Sequence, residues 1–325
     1  MCDLKQFLMK NTLAFLSMLL FLLIFGSWAR ADVKTIRIGF QKSSVLMSIV
    51  KGQGALEKAL APLGVTVQWN EFTSGAPIVE ALNAAAIDLT GDMGDAVPLF
   101  AQAAGTNFAY FLQEDPSPKA EAIVVRKDSP IKTVADLKGK KIAMPKASAT
   151  QYLTIAATAK AGLDFNKDIT AAYLQPAEAR IALEAGSVDA WACWEPYLSM
   201  LDIQNNIRHI VDASECGVAY RRYFLASNDF LENNASIVNI IVNELSKVSE
   251  WIRSNPDQAA QLLSPILNHP VQVIKLANSR RSLHLSEVNE EALESQQDIA
   301  TAFARLSLLP QLNVRESKIW KSAGK

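Results

Sequence analysis

The sequence is poor in cysteine and histidine, the residues on which most metal sites and many catalytic sites depend. Among 325 residues there are three of each, and they do not cluster at the spacings of a zinc site. The sequence also has no CxxC, HExxH, GxSxG or glycine-rich phosphate-binding motif. We therefore expect no metal, no cofactor and no enzymatic activity.

The sequence has no excess of charge of one sign. Its 32 basic and 33 acidic residues give a net charge of −1, which argues against a basic surface for nucleic acid. Half of the chain is hydrophobic and 20% is charged, a balance that excludes a disordered chain and a polytopic membrane protein. The expected partner is a small molecule, and the length predicts two domains or one large one.

The N-terminus carries a long apolar run. Lys5 and Lys10 precede the run, which spans residues 13–25 and is followed by a small-x-small pattern. These are the parts of a secretory signal peptide, which we predict over residues 1–31 with cleavage near Ala31 and export to the periplasm. A membrane anchor is the less favoured alternative, because such a run spans roughly 20 Å of a hydrocarbon core of ~30 Å.

Two cysteines remain after this cleavage, Cys193 and Cys216. An exported protein can oxidise such a pair, but two cysteines do not form a disulfide framework. Free thiols are the favoured interpretation, and a bridge is the alternative.

From Thr35 onward, short apolar strands alternate with amphipathic helices, the pattern of an α/β fold with largely parallel sheets. The alternation occurs twice, and extended crossings near residues 122–126 and 220–226 separate the two stretches. We predict a bilobal molecule that hinges at the crossings and ends in a helical tail. After the signal peptide (1–31), lobe I comprises 32–124 and 222–325, and lobe II comprises 125–221.

Polar residues follow four of the predicted strands, where ligands bind in open α/β sheets. Serine hydroxyls and free N–H groups at helix starts suit an anion. For the first three turns the alternative is helix capping alone, and Ser148 with Gln151 has the spacing of a capping box. For the fourth turn the alternative is that its tryptophans pack in the core. The candidates, in chain order, are Gln41, Ser43 and Ser44; Asp92, Gly94 and Asp95; Lys146, Ser148 and Thr150; and Trp191, Trp194 and Glu195.

Six stretches carry a resemblance to a known family. They are IRIGFQKSS (36–44), WNEFTSGAPIVEALNAAAIDL (69–89), GDAVPLFAQAAG (94–105), DSPIKTVADLKGKKIAMPKAS (128–148), LQPAEARIALEAGSVDAWACWEPY (174–197) and YFLASNDFL (223–231). The chain resembles the periplasmic substrate-binding proteins of ABC importers for aliphatic sulfonates, which are related to those for taurine and nitrate.

The resemblance implies a bilobal periplasmic binding protein fold of type II. It also implies capture of a small aliphatic sulfonate between the lobes, delivery to an ABC permease in the inner membrane, and a monomer. The sulfonate would be held by amides and hydroxyls at facing helix starts. The residues that the resemblance assigns to the ligand are Gln41, Ser43, Ser44, Gly94, Asp95, Ser148, Thr150, Trp194 and Glu195.

This sequence departs from the family pattern at three positions. Met93 replaces a threonine, Ala147 a glycine and Ala149 a serine. Arg221, with Arg222 beside it, is a candidate for the missing positive charge, and exposed hinge arginines are the alternative.

Other functions stay open. Taurine, nitrate or another small anion or zwitterion is the alternative ligand; Asp92, Asp95 and Glu195 would suit the ammonium group of a zwitterion. A more distant alternative is an enzyme similar to the thiamine-pyrimidine synthases.

Overall fold

A computed structural model describes residues 33–41 and 43–321. The predicted signal peptide and its cleavage point lie outside these residues. The strands are β1 (Thr35–Gln41), β2 (Thr66–Phe72), β3 (Leu89–Gly94), β4 (Phe108–Glu114), β5 (Glu121–Arg126), β6 (Lys141–Met144), β7 (Thr170–Tyr173), β8 (Ala190–Trp194), β9 (Ile207–Asp212), β10 (Arg222–Ser227) and β11 (Leu285–Ser286).

The strands form two sheets. The first has six strands in the order β11-β4-β10-β3-β1-β2, and the second has five in the order β7-β6-β8-β5-β9. In each sheet three neighbouring strands are parallel, β2-β1-β3 in the first and β7-β6-β8 in the second. Every residue of β4 is buried, which accounts for its continuous apolar run of Phe108–Leu112.

The sheets are mixed, whereas the sequence predicted largely parallel ones. Each sheet contains one strand from a crossing, and that strand is antiparallel to both of its neighbours: β10 to β3 and β4, and β5 to β8 and β9. A chain that arrives from the other lobe enters the sheet from the opposite end, so its strand runs against the βα units.

The predicted first boundary, between residues 124 and 125, falls inside β5. Residues 121–126 all pair with the second sheet, so the chain passes from one sheet to the other before Glu121. It returns after β9 and enters β10 at Arg222. The division into lobes therefore stays a prediction, with the first crossing displaced to residues 115–120.

Among the described residues there are twelve α-helices. They are α1 (Val45–Gln53), α2 (Ala55–Leu60), α3 (Gly75–Asn83), α4 (Val97–Ala103), α5 (Ala149–Lys160), α6 (Pro176–Glu184), α7 (Tyr197–Gln204), α8 (Asn228–Asn233), α9 (Ala235–Ser254), α10 (Pro256–Leu267), α11 (Val271–Ser279) and α12 (Glu290–Arg305). Within the described part of the chain, none is both long and apolar enough to cross a membrane. Cys193 and Cys216 are both free thiols.

Residues 45–60 are two helices rather than the single predicted one. Gly54 separates α1 from α2 with φ of 60°, and its N–H closes the last turn of α1 by donating to Lys51 and Val50. A left-handed residue ends a helix, and glycine adopts that conformation without a steric penalty.

The helical tail packs against both halves of the molecule. Phe303 of α12 is fully buried, and its ring centroid lies 5.1 Å from that of Phe100 in α4 and 6.3 Å from that of Tyr152 in α5. Helix α4 follows strand β3 of the first sheet, and helix α5 follows strand β6 of the second. Helix α12 therefore packs against helices from both sheets.

We predict that Phe303→Ala lowers the free energy of unfolding by about 3–5 kcal/mol, because it leaves a cavity where three helices meet. Urea denaturation followed by circular dichroism measures this change. The control is Leu63→Ala at a side chain that is 54% exposed, for which we expect a change within about 0.5 kcal/mol. A loss at Phe303 no larger than at Leu63 would contradict the packing described.

Candidate functional site

A cavity lies where the ends of the two sheets face each other, with about 540 Å³ of space when the part open to solvent is included. From the first sheet and its helices come the turns after β1, β2 and β3; from the second come the turns after β6 and β8. The lining residues are Gln41, Ser43, Ser44, Ser74, Gly75, Ala76, Asp92, Gly94, Val97, Pro145, Lys146, Ala147, Ser148, Ala149, Trp194, Glu195, Tyr220, Arg222 and Arg281.

Three helices begin at this cavity. Ser44 is the N-cap of α1, Ser74 of α3 and Ser148 of α5, and all three serines line the cavity. The first N–H groups of a helix have no partner within the helix, and the helix dipole adds about half a positive charge there. Two helix starts from one side and one from the other therefore offer donors to an anion.

The serines differ in what they already bind. Ser44 Oγ accepts from the Met47 N–H at 3.2 Å and donates to Asp92 Oδ2 at 2.5 Å, and Ser148 Oγ caps α5 through Gln151 N–H at 3.2 Å. Ser74 makes no side-chain capping bond. The predicted capping box is half present: Gln151 Oε1 accepts from the N–H of Ala147, not from that of the N-cap.

Four charged side chains form a buried cluster beside the cavity: Asp92, Glu114, Arg222 and Arg281, each at most 8% exposed. Arg281 donates to Asp92 Oδ1 at 2.7 Å and also binds Glu114, and Arg222 Nε lies 3.1 Å from Asp92 Oδ1. Burial opposes ionisation of Glu114, but Arg281 and Arg222 outweigh it and lower the pKa of that carboxyl. The cluster joins β3, β4, β10 and the segment after α11.

One guanidinium nitrogen of Arg222 has no hydrogen-bond partner in the described part of the chain and could donate to a ligand. Its Nη2 donates to the Tyr220 hydroxyl at 2.9 Å, and its guanidinium lies 4.5 Å from the centre of that ring. Nη1, in contrast, is buried without a hydrogen-bond partner among the described residues. Nη1 also lies 3.9 Å from Glu114 Oε1, so it has an ion-pair partner but no hydrogen-bond acceptor within the described chain. A buried guanidinium of this kind at the wall of a cavity is suited to an anionic oxygen.

The two sides of the cavity also contact each other directly. Trp194 Nε1 donates to Ser43 Oγ at 3.5 Å, and a Cβ placed on Gly94 would lie only 3.3 Å from the Ala149 Cβ. The absence of a side chain at Gly94 therefore permits the close approach of the β3 turn to the start of α5.

Arg280, next to Arg281 in the chain, makes a second connection. It donates to Glu195 Oε1 at 2.8 Å and to Asp202 Oδ2 at 2.6 Å, so it binds β8 and α7 while Arg281 binds the first sheet. Burial raises the pKa of Glu195, although Arg280 opposes this shift. Successive arginines thus link the two halves beside the cavity.

The ion pairs at the cavity determine whether it suits an anionic or a cationic ligand group. Of the described residues, three cations line it, Lys146, Arg222 and Arg281, against the two carboxylates of Asp92 and Glu195. Both carboxylates are already paired with arginines, so neither is left for a ligand ammonium group. The hypothesis that these acidic residues hold a zwitterion is therefore not favoured by the structure, and an anion is.

Seven of the predicted ligand residues line the cavity: Gln41, Ser43, Ser44, Gly94, Ser148, Trp194 and Glu195. Their roles in binding stay predictions. Trp191, the other aromatic of that strand, is 1% exposed and packs in the core of the second sheet.

Asp95, Thr150 and Arg221 do not line the cavity. Thr150 is buried, and its hydroxyl lies 3.0 Å from Ser148 Oγ. Arg221 Nη2 donates to Glu291 Oε1 at 2.6 Å, so the positive charge predicted from this pair is provided by Arg222 instead. Neighbouring residues of extended backbone point to opposite sides, which is why only one of the two reaches the cavity.

Asp95 lies behind the cavity and is 2% exposed. Burial raises the pKa of its carboxyl to about 7, against the opposing effect of backbone hydrogen bonds and of Arg222. Glu121 is its neighbour, and burial together with the charge of Asp95 raises the pKa of Glu121.

Sequence reasoning missed seven lining residues, Ser74, Gly75, Ala76, Val97, Pro145, Tyr220 and Arg281. Ser74, Gly75 and Ala76 could have been predicted in the same way as the other turns, since they follow strand β2 and begin helix α3. No sequence pattern indicated Arg281. It lies in the tail, where no site was predicted, and it binds Asp92, which is 189 residues away in the chain.

The chain has two mixed β-sheets, and helices that follow strands of each sheet begin at one shared cavity. This arrangement defines a bilobal binding protein. The family described as NMT1/THI5 like matches residues 103–259. The periplasmic aliphatic sulphonate binding protein SsuA from Escherichia coli superposes with a TM-score of 0.80 and 37% identity, over 90% of this chain and 95% of SsuA. The chain belongs to the family of aliphatic sulfonate-binding proteins.

Two further relatives extend the comparison. The alkanesulfonate-binding protein SsuA from Xanthomonas axonopodis pv. citri, in a structure bound to MOPS, has a TM-score of 0.81 and 34% identity over 86% of this chain and 96% of its own. The taurine-binding periplasmic protein of Escherichia coli (strain K12) is 26% identical over 231 residues, 70% of this chain and 69% of the relative.

We predict that Arg281→Met lowers the free energy of unfolding by about 3–5 kcal/mol at pH 7, because it leaves two buried carboxylates facing Arg222 alone. Without Arg281, burial would raise the pKa of Glu114 above its unfolded value. The folded variant would then take up a proton that the unfolded chain does not, and its deficit would shrink as the pH falls from 7 to 5.

Urea denaturation of both proteins at the two pH values measures this difference. The control is Arg253→Met, an arginine with 40% exposure of its side chain that pairs with Glu250 on the surface of α9. For it we expect a change within about 0.5 kcal/mol at both pH values. Equal deficits for Arg281→Met at pH 7 and pH 5 would contradict the assignment.

Proposed function

We propose that the chain is the substrate-binding component of an ABC importer, which captures a small sulfonate in the cavity between its two sheets and delivers it to a permease in the inner membrane. The observation that carries the proposal is the convergence of three helix starts and the Arg222 guanidinium on one cavity, with Nη1 of Arg222 lacking a hydrogen-bond partner among the described residues. The N-terminal sequence supports export to the periplasm, and we propose that the protein acts there as a monomer.

The chemistry of a sulfonate matches this arrangement. The group carries one negative charge spread over three oxygens, and fixed N–H donors bind such oxygens without an equal number of full positive charges. Arg222 and Arg281 neutralise Asp92 and Glu114, and Arg280 pairs with Glu195, so the carboxylates at the cavity are balanced by cations before an anion binds. MOPS, the molecule bound to the Xanthomonas relative, is itself a sulfonate, which supports the same ligand class here.

Binding rather than catalysis is the proposed activity. The residues at the cavity include no histidine or cysteine, and Cys193 is buried in the core of the second sheet. Within the described part of the chain, no group of three or more His, Cys, Asp and Glu side chains is placed to hold a metal ion. The groups at the cavity are instead donors held in place by helices and ion pairs.

The direct test is a thermal-shift and titration series on the exported protein with ethanesulfonate, sulfate, nitrate and taurine. We expect ethanesulfonate to raise the melting temperature, since a ligand at 100 times its dissociation constant adds about 2.7 kcal/mol of stability. No response to any sulfonate would overturn the proposed ligand class.

We predict that Arg222→Met weakens ethanesulfonate binding about ten- to a hundredfold, because a hydrogen bond to a charged group contributes about 1.5–3 kcal/mol. Isothermal titration measures this, with circular dichroism to verify that the variant is folded at the temperature used. Arg253→Met, far from the cavity in sequence and exposed, is the matched control with parent affinity. An affinity of Arg222→Met within twofold of the parent would contradict the role given to Nη1.

We also predict that ethanesulfonate binds more tightly than taurine, which differs from it by an ammonium group. That group must be desolvated, and the carboxylates of Asp92 and Glu195 are already paired with arginines. Titration of both ligands into one preparation gives the comparison. Tighter binding of taurine would instead support the zwitterion hypothesis.

A further inference from the structure

A second, larger pocket opens beside the cavity and shares Ser43 with it. It has about 1360 Å³ of free space, against about 540 Å³ in the cavity. We call it the outer pocket. Its main apolar side chains are Tyr197, Met200, Ile203, Leu267, Pro270 and Val273.

The outer pocket is built from both halves of the molecule. One wall consists of α6 and α7, which follow strands of the second sheet, and the other is the turn between α10 and α11, with Ser43 and Thr73 at the base. The inner and outer spaces are also joined by aromatic contacts. The ring of Tyr197 lies edge-on to that of Trp194, with 6.0 Å between their centres, and Trp194 lines the inner cavity.

The surface of the outer pocket is suited to an uncharged group. Among the residues that the structure describes, no aspartate, glutamate or lysine lines it. Its arginine, Arg180, pairs with Glu184 at 2.8 Å and contacts Met200 Sδ with Nη1. Ile203 is 51% exposed there, although an isoleucine gains free energy when it is covered. The inner cavity differs, since aspartate, glutamate and lysine side chains line it together with two arginines: Asp92, Glu195, Lys146, Arg222 and Arg281.

We propose that the outer pocket binds the organic group of the sulfonate, and that the chain accepts sulfonates whose organic group is large, uncharged and apolar, aromatic rings included. This inference rests on the proposed function, because the sulfonate must occupy the inner cavity for its organic group to reach the outer pocket. Tyr197, Met200 and Ile203 are then the residues that determine which sulfonates bind tightly. An aromatic ring would lie against Tyr197 edge-on or offset, as aromatic pairs prefer.

The experiment compares two ligands with the same charged group, ethanesulfonate and naphthalene-2-sulfonate, by isothermal titration. We expect the parent protein to bind naphthalene-2-sulfonate at least tenfold more tightly than ethanesulfonate. Ile203→Ser, at a side chain that is 51% exposed, should weaken naphthalene-2-sulfonate several-fold or more and leave ethanesulfonate within twofold. The matched control is Ile181→Ser, because Ile181 is also an exposed helical isoleucine, at 66%, but lies outside the pocket lining.

A variant that fills the outer pocket gives a second test, because it adds a side chain instead of removing a contact. Ala177 lines the outer pocket and is exposed on the first turn of α6, so Ala177→Trp places a large ring in the pocket without disturbing the core. We expect it to reduce binding of naphthalene-2-sulfonate at least tenfold and to leave ethanesulfonate unchanged.

The outcomes separate this inference from the proposed function. If ethanesulfonate binds but naphthalene-2-sulfonate binds no more tightly, or if the variants affect both ligands equally, the outer pocket does not hold the organic group while the proposed function stands. If neither ligand binds the parent protein, both proposals fail.

Discussion

The structure depends on the neutralisation of four buried charges. Asp92 and Glu114 lie inside the first sheet where a lone carboxylate would be strongly destabilised, and Arg222 and Arg281 make their presence possible. These four residues come from two βα units, from the strand that returns from the second sheet, and from the helical tail. The four charges therefore come together only when the chain from β3 to the segment after α11 has folded.

The same ion pairs set the character of the cavity. Because arginines of the protein neutralise the carboxylates at its walls, the groups that can bind a ligand are N–H donors, hydroxyls and Nη1 of Arg222. Donors of this kind are held in position before the ligand arrives, by helix geometry and by salt bridges. Little conformational entropy then has to be lost when an anion binds.

Much of this arrangement could be predicted from the sequence, because it follows from local rules. The strand-to-helix turns at Ser44, Gly94, Ser148 and Trp194 were identified from apolar runs and turn residues, and they do meet at one cavity. The contribution of Arg281 could not be predicted, since its partners are remote in sequence and nothing in its neighbourhood indicates a site. The choice between Arg221 and Arg222 depended on a shift of one residue in an extended segment, which pattern alone does not resolve.

The adjacency of Arg280 and Arg281 has a consequence for how this sequence can vary. One residue is committed to Glu195 and Asp202 and the next to Asp92 and Glu114, so the pair tolerates neither an inserted residue between them nor a deleted one before them. Either change would exchange or separate the two attachments, and it would leave Glu195 without Arg280 or Asp92 with Arg222 alone. The spacing of the tail from α11 to α12 is therefore tied to both halves of the molecule at once.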